Sequence, residues 1–213
     1  MPNYIAIGDI HGMAQLLEEL LAALPSEGEL VFLGDYIDRG PDSNAVISRL
    51  IALAQERTCH FLRGNHEEMM LSALDGPNFN FTMRAHWMLN GGSQTLDSYD
   101  GHPLPPAHLA FLRQTRGYLS TEEYIFVHAG LLPGCTPEDT PPQHRLWIRE
   151  QFLRSNYDWG RLVIHGHTPC KSGQPDIHPH RINIDTGAVY GGALTALVLP
   201  EHRFIKRRAT PAG

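Results

Sequence analysis

The sequence has little that would tie it to an oxidising compartment, a membrane or a nucleic acid. Its three cysteines, Cys59, Cys135 and Cys170, form an odd set with no CxxC spacing, which argues against a disulfide framework or a zinc finger and for reduced thiols. No apolar run approaches the roughly 20 residues a membrane span needs. The N-terminus passes from Met1 through the apolar stretch Tyr4 to Ile7 directly into Gly8 and Asp9, without the basic and long apolar regions of a secretion signal. A cytoplasmic protein without a membrane partner is therefore expected. Basic charge is also short: 17 Lys and Arg stand against 23 Asp and Glu, a net charge of -6, so no positive field is available to hold a phosphate backbone, and no nucleic-acid partner is expected. The one basic run, Arg203, Lys206, Arg207 and Arg208, lies beside the C-terminus and reads as a solvated, frayed tail. With 213 residues, 42% of them hydrophobic, the chain can close one core, so residues 1–213 are expected to form a single domain with one active site, working as a monomer.

Periodicity gives the order of elements. Tyr4 to Ile7, Leu30 to Leu33 and His60 to Leu62 read as short strands, each ending at or near a glycine. Helical spacing follows each of them, over Met13 to Leu24, Ser43 to Gln55 with Ser43 as the expected N-cap, and Glu67 to Leu74. Two proline-rich connections, Gly101 to Ala107 and Pro133 to Pro142, flank a strand at Tyr124 to Val127. A helix around Trp147 to Arg154 and strands at Leu162 to Ile164, Ile182 to Ile184 and Leu194 to Leu199 complete the chain. Alternation of strand and helix, then mainly strands, predicts an α/β fold in which helices cover a central sheet or pair of sheets.

What the sequence has in quantity is histidine, 13 in all, and its placement is not random. Five segments set ionisable side chains just past an apolar strand: Gly8-Asp9-Ile10-His11-Gly12, Gly34-Asp35-Tyr36-Ile37-Asp38-Arg39-Gly40, Gly64-Asn65-His66-Glu67, Val127-His128-Ala129-Gly130 and Gly166-His167-Thr168-Pro169. In α/β sheets the crevice beyond the carboxyl ends of the strands is where loops converge on a ligand. A mixed Asp, Asn and His set without thiolate suits Mn²⁺, Fe or Zn²⁺. Two such ions, about 3.5 to 4 Å apart, can clamp a phosphoryl group and bring the pKa of a water between them toward neutrality.

The strings GDIHG, GDYIDRG, RGNHEEMM, VHAG and HGHTP resemble the signature motifs of the phosphoprotein phosphatase family, in its bacterial and phage serine/threonine branch, within the calcineurin-like metallophosphoesterases. The likeness extends through HWMLNGG, LWIRE and IDTGAVYGGALT and so covers the chain from Tyr4 to Leu199. It implies a central β-sandwich flanked by helices, with the active site at the carboxyl ends of the strands. By matching motif, Asp9 and His11 would bind the first metal, Asp35 would bridge, and Asn65, His128 and His167 would bind the second, with Mn²⁺ the expected ion of the pair and Fe or Zn²⁺ the alternatives. His66 would be the general acid, Asp38 would support its imidazole, and Arg39 and Arg149 would grip phosphate oxygens with planar, bidentate guanidiniums. His165 reads as a packing group behind the ligands, His178 and His180 as surface histidines, and Trp87, Trp147 and Trp159 as core or pocket-wall aromatics.

The function so implied is removal of phosphate from phosphoserine or phosphothreonine, with phosphotyrosine a further option, in a phosphorylated protein or peptide partner by direct attack of metal-activated water. A thiol nucleophile is excluded, because none of the cysteines begins a CxxxxxR sequence. The competing reading with the same metal chemistry is a dinucleoside polyphosphate (diadenosine tetraphosphate) hydrolase. Glu67, which makes the motif GNHE where those hydrolases tend to carry GNHD, and Asp38 favour the protein phosphatase. A non-catalytic module that only holds a phosphorylated ligand would not need His66, Asp38 and Arg39 together. Substrate choice is expected to lie in surface loops such as Asp75 to Phe81 and the two proline-rich connections.

Overall fold

A computed structural model describes residues 3–74 and 81–209 of the chain. Residues 75–80, most of the loop expected to influence substrate choice, lie outside the described residues. The first half runs β1 (Tyr4–Ile7), α1 (Ala14–Leu21), β2 (Glu29–Phe32), α2 (Ser43–Glu56), β3 (Cys59–Phe61), α3 (Asn65–Leu74), α4 (Phe81–Trp87), a π-helical turn (Met88–Gly92), α5 (Ser93–Ser98) and α6 (Pro106–Arg113). The second runs β4 (Tyr118–Ser120), β5 (Tyr124–Val127), α7 (Pro142–Trp147), α8 (Glu150–Leu153), β6 (Leu162–His165), β7 (Asp176–His178), β8 (Arg181–Asn183), a 3₁₀ turn (Ala188–Tyr190), β9 (Ala193–Leu199) and β10 (Arg203–Arg208).

The strands form two five-stranded sheets, in the orders β10-β9-β1-β2-β3 and β4-β5-β6-β8-β7. The centre of each is parallel: β1, β2 and β3 in one, β5, β6 and β8 in the other, with antiparallel strands at the margins. Side chains alternate between faces. In β1 and β2, Ile5, Ile7, Leu30 and Phe32 pack under the helices with Leu16, Leu17, Ile47 and Leu50. Their neighbours Ala6, Val31 and Leu33 face the opposite way and meet Phe126, Ile164, Ile182 and Leu197 from both sheets. On the far side of the second sheet, Ile125, Val127 and Val163 are covered by Ile148 and Phe152. Both faces of the central strands are thus buried, which is why the strands read as continuous apolar runs. This is the expected β-sandwich flanked by helices.

Four local expectations are corrected. The N-cap of α2 is Asp42, whose Oδ1 accepts from the Ala45 N–H at 2.8 Å; the Ser43 hydroxyl is turned inward instead and accepts from the Asp38 N–H at 3.1 Å. The helix expected over Trp147 to Arg154 is two short helices, broken at Ile148 and Arg149, where Arg149 adopts φ -129° and ψ -100°. The basic C-terminal run is not a frayed tail but the edge strand β10, paired with β9 from Arg203↔Val198 to Arg208↔Ala193. Phe204 and Ile205 add to the two apolar layers while Arg203, Lys206 and Arg208 face solvent, and such charges discourage a sheet edge from pairing with another chain. Finally, the proline-rich connection expected over Gly101 to Ala107 runs into α6 at Pro106, and α6, β4 and β7 are further elements whose short or polar sequences carry no clear period.

Replacing the true cap is a direct check. Asp42→Ala should lower unfolding stability by about 1 kcal/mol, and the neighbouring Ser43→Ala should act through the Asp38 loop rather than the helix. Urea denaturation with no change for Asp42→Ala would show that the cap contributes nothing.

Candidate metal centre

The six parallel strands end on one side of the sandwich, and each end delivers side chains to the same place. The segment after β1 carries Asp9 and His11, that after β2 Asp35, Asp38 and Arg39, and that after β3 Asn65 and His66. Those after β5, β6 and β8 carry His128, His167 and Asp185 respectively. Backbone bonds knit these loops before any ligand is considered: the N–H groups of Ile10 and His11 both donate to Asp35 O, and Gly166 N–H donates to His128 O at 2.8 Å. Two glycines are required by close approach. A Cβ on Gly64 would lie 2.1 Å from Asp35 Oδ1 and 2.3 Å from the Asp35 N, and one on Gly166 would lie 2.1 Å from Asp9 Oδ1. His11, Asp35, Asp38, Arg39 and His167 all hold left-handed backbone, with φ between 46° and 70°. That conformation is costly for residues with a Cβ and persists where the surroundings impose it.

Asp35 is the centre of the arrangement. His11 Nε2 approaches its Oδ2 at 3.4 Å and His128 Nε2 approaches its Oδ1 at 3.4 Å, so the two imidazoles stand on opposite oxygens of one buried carboxylate. Asn65 Oδ1 lies 2.9 Å from His128 Nε2 and 2.8 Å from His167 Nδ1. Ligand atoms of His11, Asp35 and His66, and again of Asp35, His128 and His167, lie within 4.8 Å of one another. The first grouping holds His66 where the sequence reading has Asp9. The Asp9 carboxylate lies beside it and receives the His167 N–H, at 3.2 and 3.1 Å from its two oxygens.

The donor set is one that a cation would complete. His128 Nδ1 donates to Leu33 O at 2.9 Å and His11 Nδ1 to Ile37 O at 2.9 Å, because a carbonyl can only accept. Each ring therefore turns an Nε2 lone pair inward. For His128 that lone pair meets only acceptors, Asn65 Oδ1 and Asp35 Oδ1. Burial disfavours charge on these rings: it lowers His128, takes His11 down to about 3 and, reinforced by the neighbouring His128, takes His167 to about 2. Burial pushes the carboxyl groups the other way. Asp9 rises, with Asp185 and Asp35 adding like charge, and Asp185 rises to about 7. Asp35 alone goes down, because the surrounding histidines outweigh the burial that would raise it. Inward lone pairs and crowded carboxylates fit divalent ions. At His11 the Arg39 Nη1 donates to Nε2 at 2.9 Å, so a guanidinium and a metal compete for that lone pair.

Beside the centre, His66 Nδ1 and Asp38 Oδ2 are 2.7 Å apart, both groups fully buried. Asp38 is itself fixed by Thr95 Oγ1 at 2.6 Å and by Trp87 Nε1 at 3.0 Å from each carboxylate oxygen. Burial would lower the His66 pKa, but the charges of Asp35 and Asp38 and the bond to Asp38 outweigh it and raise it. His66 Nε2 has no hydrogen-bond partner among the described residues and lies 3.9 Å from Asp35 Oδ2. Arg39 covers the exposed Tyr190 ring, with Cζ 5.6 Å from its centroid. Arg149, expected on a helix, sits exposed in the break before α8, where its positive charge helps hold down His128 and His167.

The contacts above bring nine of the ten sequence-predicted site residues together around Asp35, and the tenth, Arg149, acts on His128 and His167 through its charge. His165 packs edge-on against Phe152, centroids 4.9 Å apart, and is not among the grouped ligand atoms. Sequence reasoning gave no role to Asp185, although it repeats the signal of the others, an acidic residue after an apolar strand and before a nearby glycine. It also missed Glu67 as a scaffold. Glu67 Oε2 accepts from the N–H groups of Asp35 (2.9 Å) and Gly64 (2.8 Å), and Oε1 accepts from Tyr36 N–H (2.8 Å), which holds the Asp35 loop from beneath.

A model of the calcineurin-like phosphoesterase family matches residues 2–191, and the chain belongs to that family of metal-dependent hydrolases. It is similar to a Geobacillus sp. protein named bis(5'-nucleosyl)-tetraphosphatase PrpE (asymmetrical), with 30% identity over 92% of this chain and 89% of the relative. In three dimensions it matches a crystal structure described as a candidate diadenosine tetraphosphatase at TM-score 0.77 and 21% identity, covering 99% of this chain and 95% of that one. It also matches a protein serine/threonine phosphatase from Saccharomyces cerevisiae at TM-score 0.62 and 16% identity, covering 100% and 81%. At these identities the structural matches establish the fold. The family's dinuclear divalent centre agrees with the two groups of ligand atoms that share Asp35.

Metal uptake tests the assignment. After chelation, equilibrium dialysis against Mn²⁺ should return about two ions per chain for the wild type, about one for His128→Ala, and neither at full affinity for Asp35→Asn. Undiminished uptake by Asp35→Asn would remove Asp35 from the bridging position.

Proposed function

We propose that the protein hydrolyses dinucleoside polyphosphates, splitting a bis(5'-nucleosyl) tetraphosphate asymmetrically into a nucleoside monophosphate and a nucleoside triphosphate. The observation that carries this reading is the 30% identity, over 92% of the chain, to a relative bearing that activity in its name. The protein phosphatase expected from the sequence leaned on Glu67 and Asp38. Glu67 is fully buried and spends its carboxylate on three backbone N–H groups of the Asp35 and Gly64 loops, so its identity bears on loop geometry rather than on what is cleaved. Asp38 serves His66 whatever leaving group receives the proton. Neither residue favours a phosphoprotein over a dinucleotide.

Asp9, His11, Asp35, Asn65, His128 and His167 would hold the divalent ions, which when bound supply Lewis acidity and a strong nucleophile at neutral pH. Arg39 and Arg149 would hold phosphoryl oxygens. As oxygen from water bonds to phosphorus and releases a proton to solvent, the bond from phosphorus to the leaving oxygen breaks, and His66 Nε2 gives that oxygen its proton. Asp38 keeps the ring oriented and stabilises its charged form, and Trp87 and Thr95 prevent the carboxylate from turning away. No thiol takes part. A polyphosphate leaving group is far less basic than a seryl alkoxide, so it needs this proton less.

The distinction gives a test. With metal stripped and Mn²⁺ restored, kcat/KM for diadenosine tetraphosphate should exceed that for a phosphoserine peptide by at least about tenfold, a difference of about 1.4 kcal/mol in transition-state binding. His66→Asn should cost on the order of 10²-fold or more on the peptide and visibly less on the dinucleotide. Preference for the peptide would overturn the proposed substrate and restore the protein phosphatase.

A further inference from the structure

A groove leads away from the metal centre on the His167 side. Two cavities, of about 430 and 570 Å³, share Glu68, Ser72, Met83, Gln143 and Trp147 and so form one trough between α3, α4 and α7. Its wall nearest the centre is Trp147. The indole stands edge-on to the His167 imidazole, centroids 6.0 Å apart at 85°, and lies nearly parallel to the His86 ring, 6.2 Å away at 19°. Trp147 is half-buried and His86 is exposed, so aromatic surface remains open to the trough.

The chemistry of the trough suits a neutral aromatic group with polar edges, not a second phosphate. Its two guanidiniums are committed elsewhere: Arg63 to Glu68 at 3.1 Å and to the carbonyl of Arg113, Arg145 to Pro137 O at 2.6 Å and to the Tyr118 ring. Glu68 neutralises Arg63 inside the trough, which leaves little free positive charge there for a phosphate. Gln143 and Ser72 offer an amide and a hydroxyl that can pair with the edge of a base or with ribose hydroxyls. Indole surfaces stack on any base, because every base has a π-face.

We infer that this trough is a nucleoside subsite, with Trp147 as the stacking platform for the base joined to the phosphate held at the metal centre. The inference rests on the proposed substrate for its class of ligand, and it makes Trp147 a specificity residue beside the chemistry.

Binding, rather than turnover, tests it. Adenosine 5'-methylenediphosphonate and bare methylenediphosphonate, neither of which offers a P–O–P bridge to cleave, would be titrated calorimetrically into the Mn²⁺-loaded protein. The wild type should bind the nucleoside form at least about tenfold more tightly. Trp147→Leu should abolish that preference, Trp147→Phe should restore most of it, and Ser72→Tyr, which fills the trough while leaving Trp147 in place, should also abolish it. Equal affinity for the two ligands in the wild type would overturn the inference. So would a preference that survives both Trp147→Leu and Ser72→Tyr, or a Trp147→Leu loss that falls equally on both ligands, which would mark a merely structural effect through His167. A Trp147-dependent preference in a protein that fails to cleave diadenosine tetraphosphate would keep the subsite and sink the proposed reaction, so the two failures are distinguishable.

Discussion

The buried carboxylate of Asp35 is the element on which the rest of the site depends. One oxygen faces His11 and the other His128, which come from different sheets, so a single side chain joins the two halves of the sandwich at the point of chemistry. Holding an anion there needs support from beneath. Glu67 provides it by accepting the N–H groups of Asp35 and Tyr36, and Gly64 provides room, since a side chain at that position would strike the carboxylate. The price is a concentration of buried acids, Asp9, Asp35, Asp185 and Glu67, whose mutual repulsion and desolvation raise all but Asp35 above the usual carboxylate range. A cluster of this kind is unfavourable as a purely structural device. Divalent cations turn it into a binding site.

The architecture explains why the ligands are so far apart in sequence. Parallel strands start and finish at the same edges, so the chain must cross back between them: α1 and α2 do so in the first sheet and α7 and α8 between β5 and β6, whereas β6 returns to β8 through β7. Each parallel strand thus contributes one loop to the same rim, and the two sheets, packed through Val31, Phe126 and Ile164, bring two such rims together. The left-handed φ angles at His11, Asp35, Asp38, Arg39 and His167 are the local cost of turning the chain within a residue or two of a strand end while aiming a side chain inward.

This geometry also sets what could be read from the sequence. Strands buried on both faces are short continuous apolar runs, and a polar residue beside glycine at the end of such a run stands out, so Asp9, Asp35, Asn65, His128 and His167 were legible. So was the β-sandwich, through the family resemblance. Boundaries decided by single hydrogen bonds were not. Asp42 and Ser43 are both good capping residues, and only the three-dimensional demand of Asp38 for a hydroxyl directs Ser43 inward. The helix break at Arg149 leaves no proline or glycine in LWIRE to mark it, and β10 looks like a basic tail because an edge strand shows half its residues to water. Asp185 was overlooked although its local pattern matched the others. Its function is set by which acids it meets, Asp9 and Asp35, a relation between loops that no stretch of sequence contains.

The same distinction bears on substrate. Residues that assemble the centre are buried and bonded to backbone, and their identities are fixed by the needs of Asp35, not by the molecule being cleaved. Glu67 illustrates this: a residue that looked like a mark of protein phosphatases acts in the scaffold, through three hydrogen bonds to backbone N–H groups. Discrimination must come from side chains that reach both the phosphate site and solvent. Among the described residues, Trp147 beside His167 and Tyr190 beneath Arg39 meet that condition. Trp147 packs on His167, and Tyr190 packs on the arginine that bonds His11, so the two rings reach the centre through different histidines.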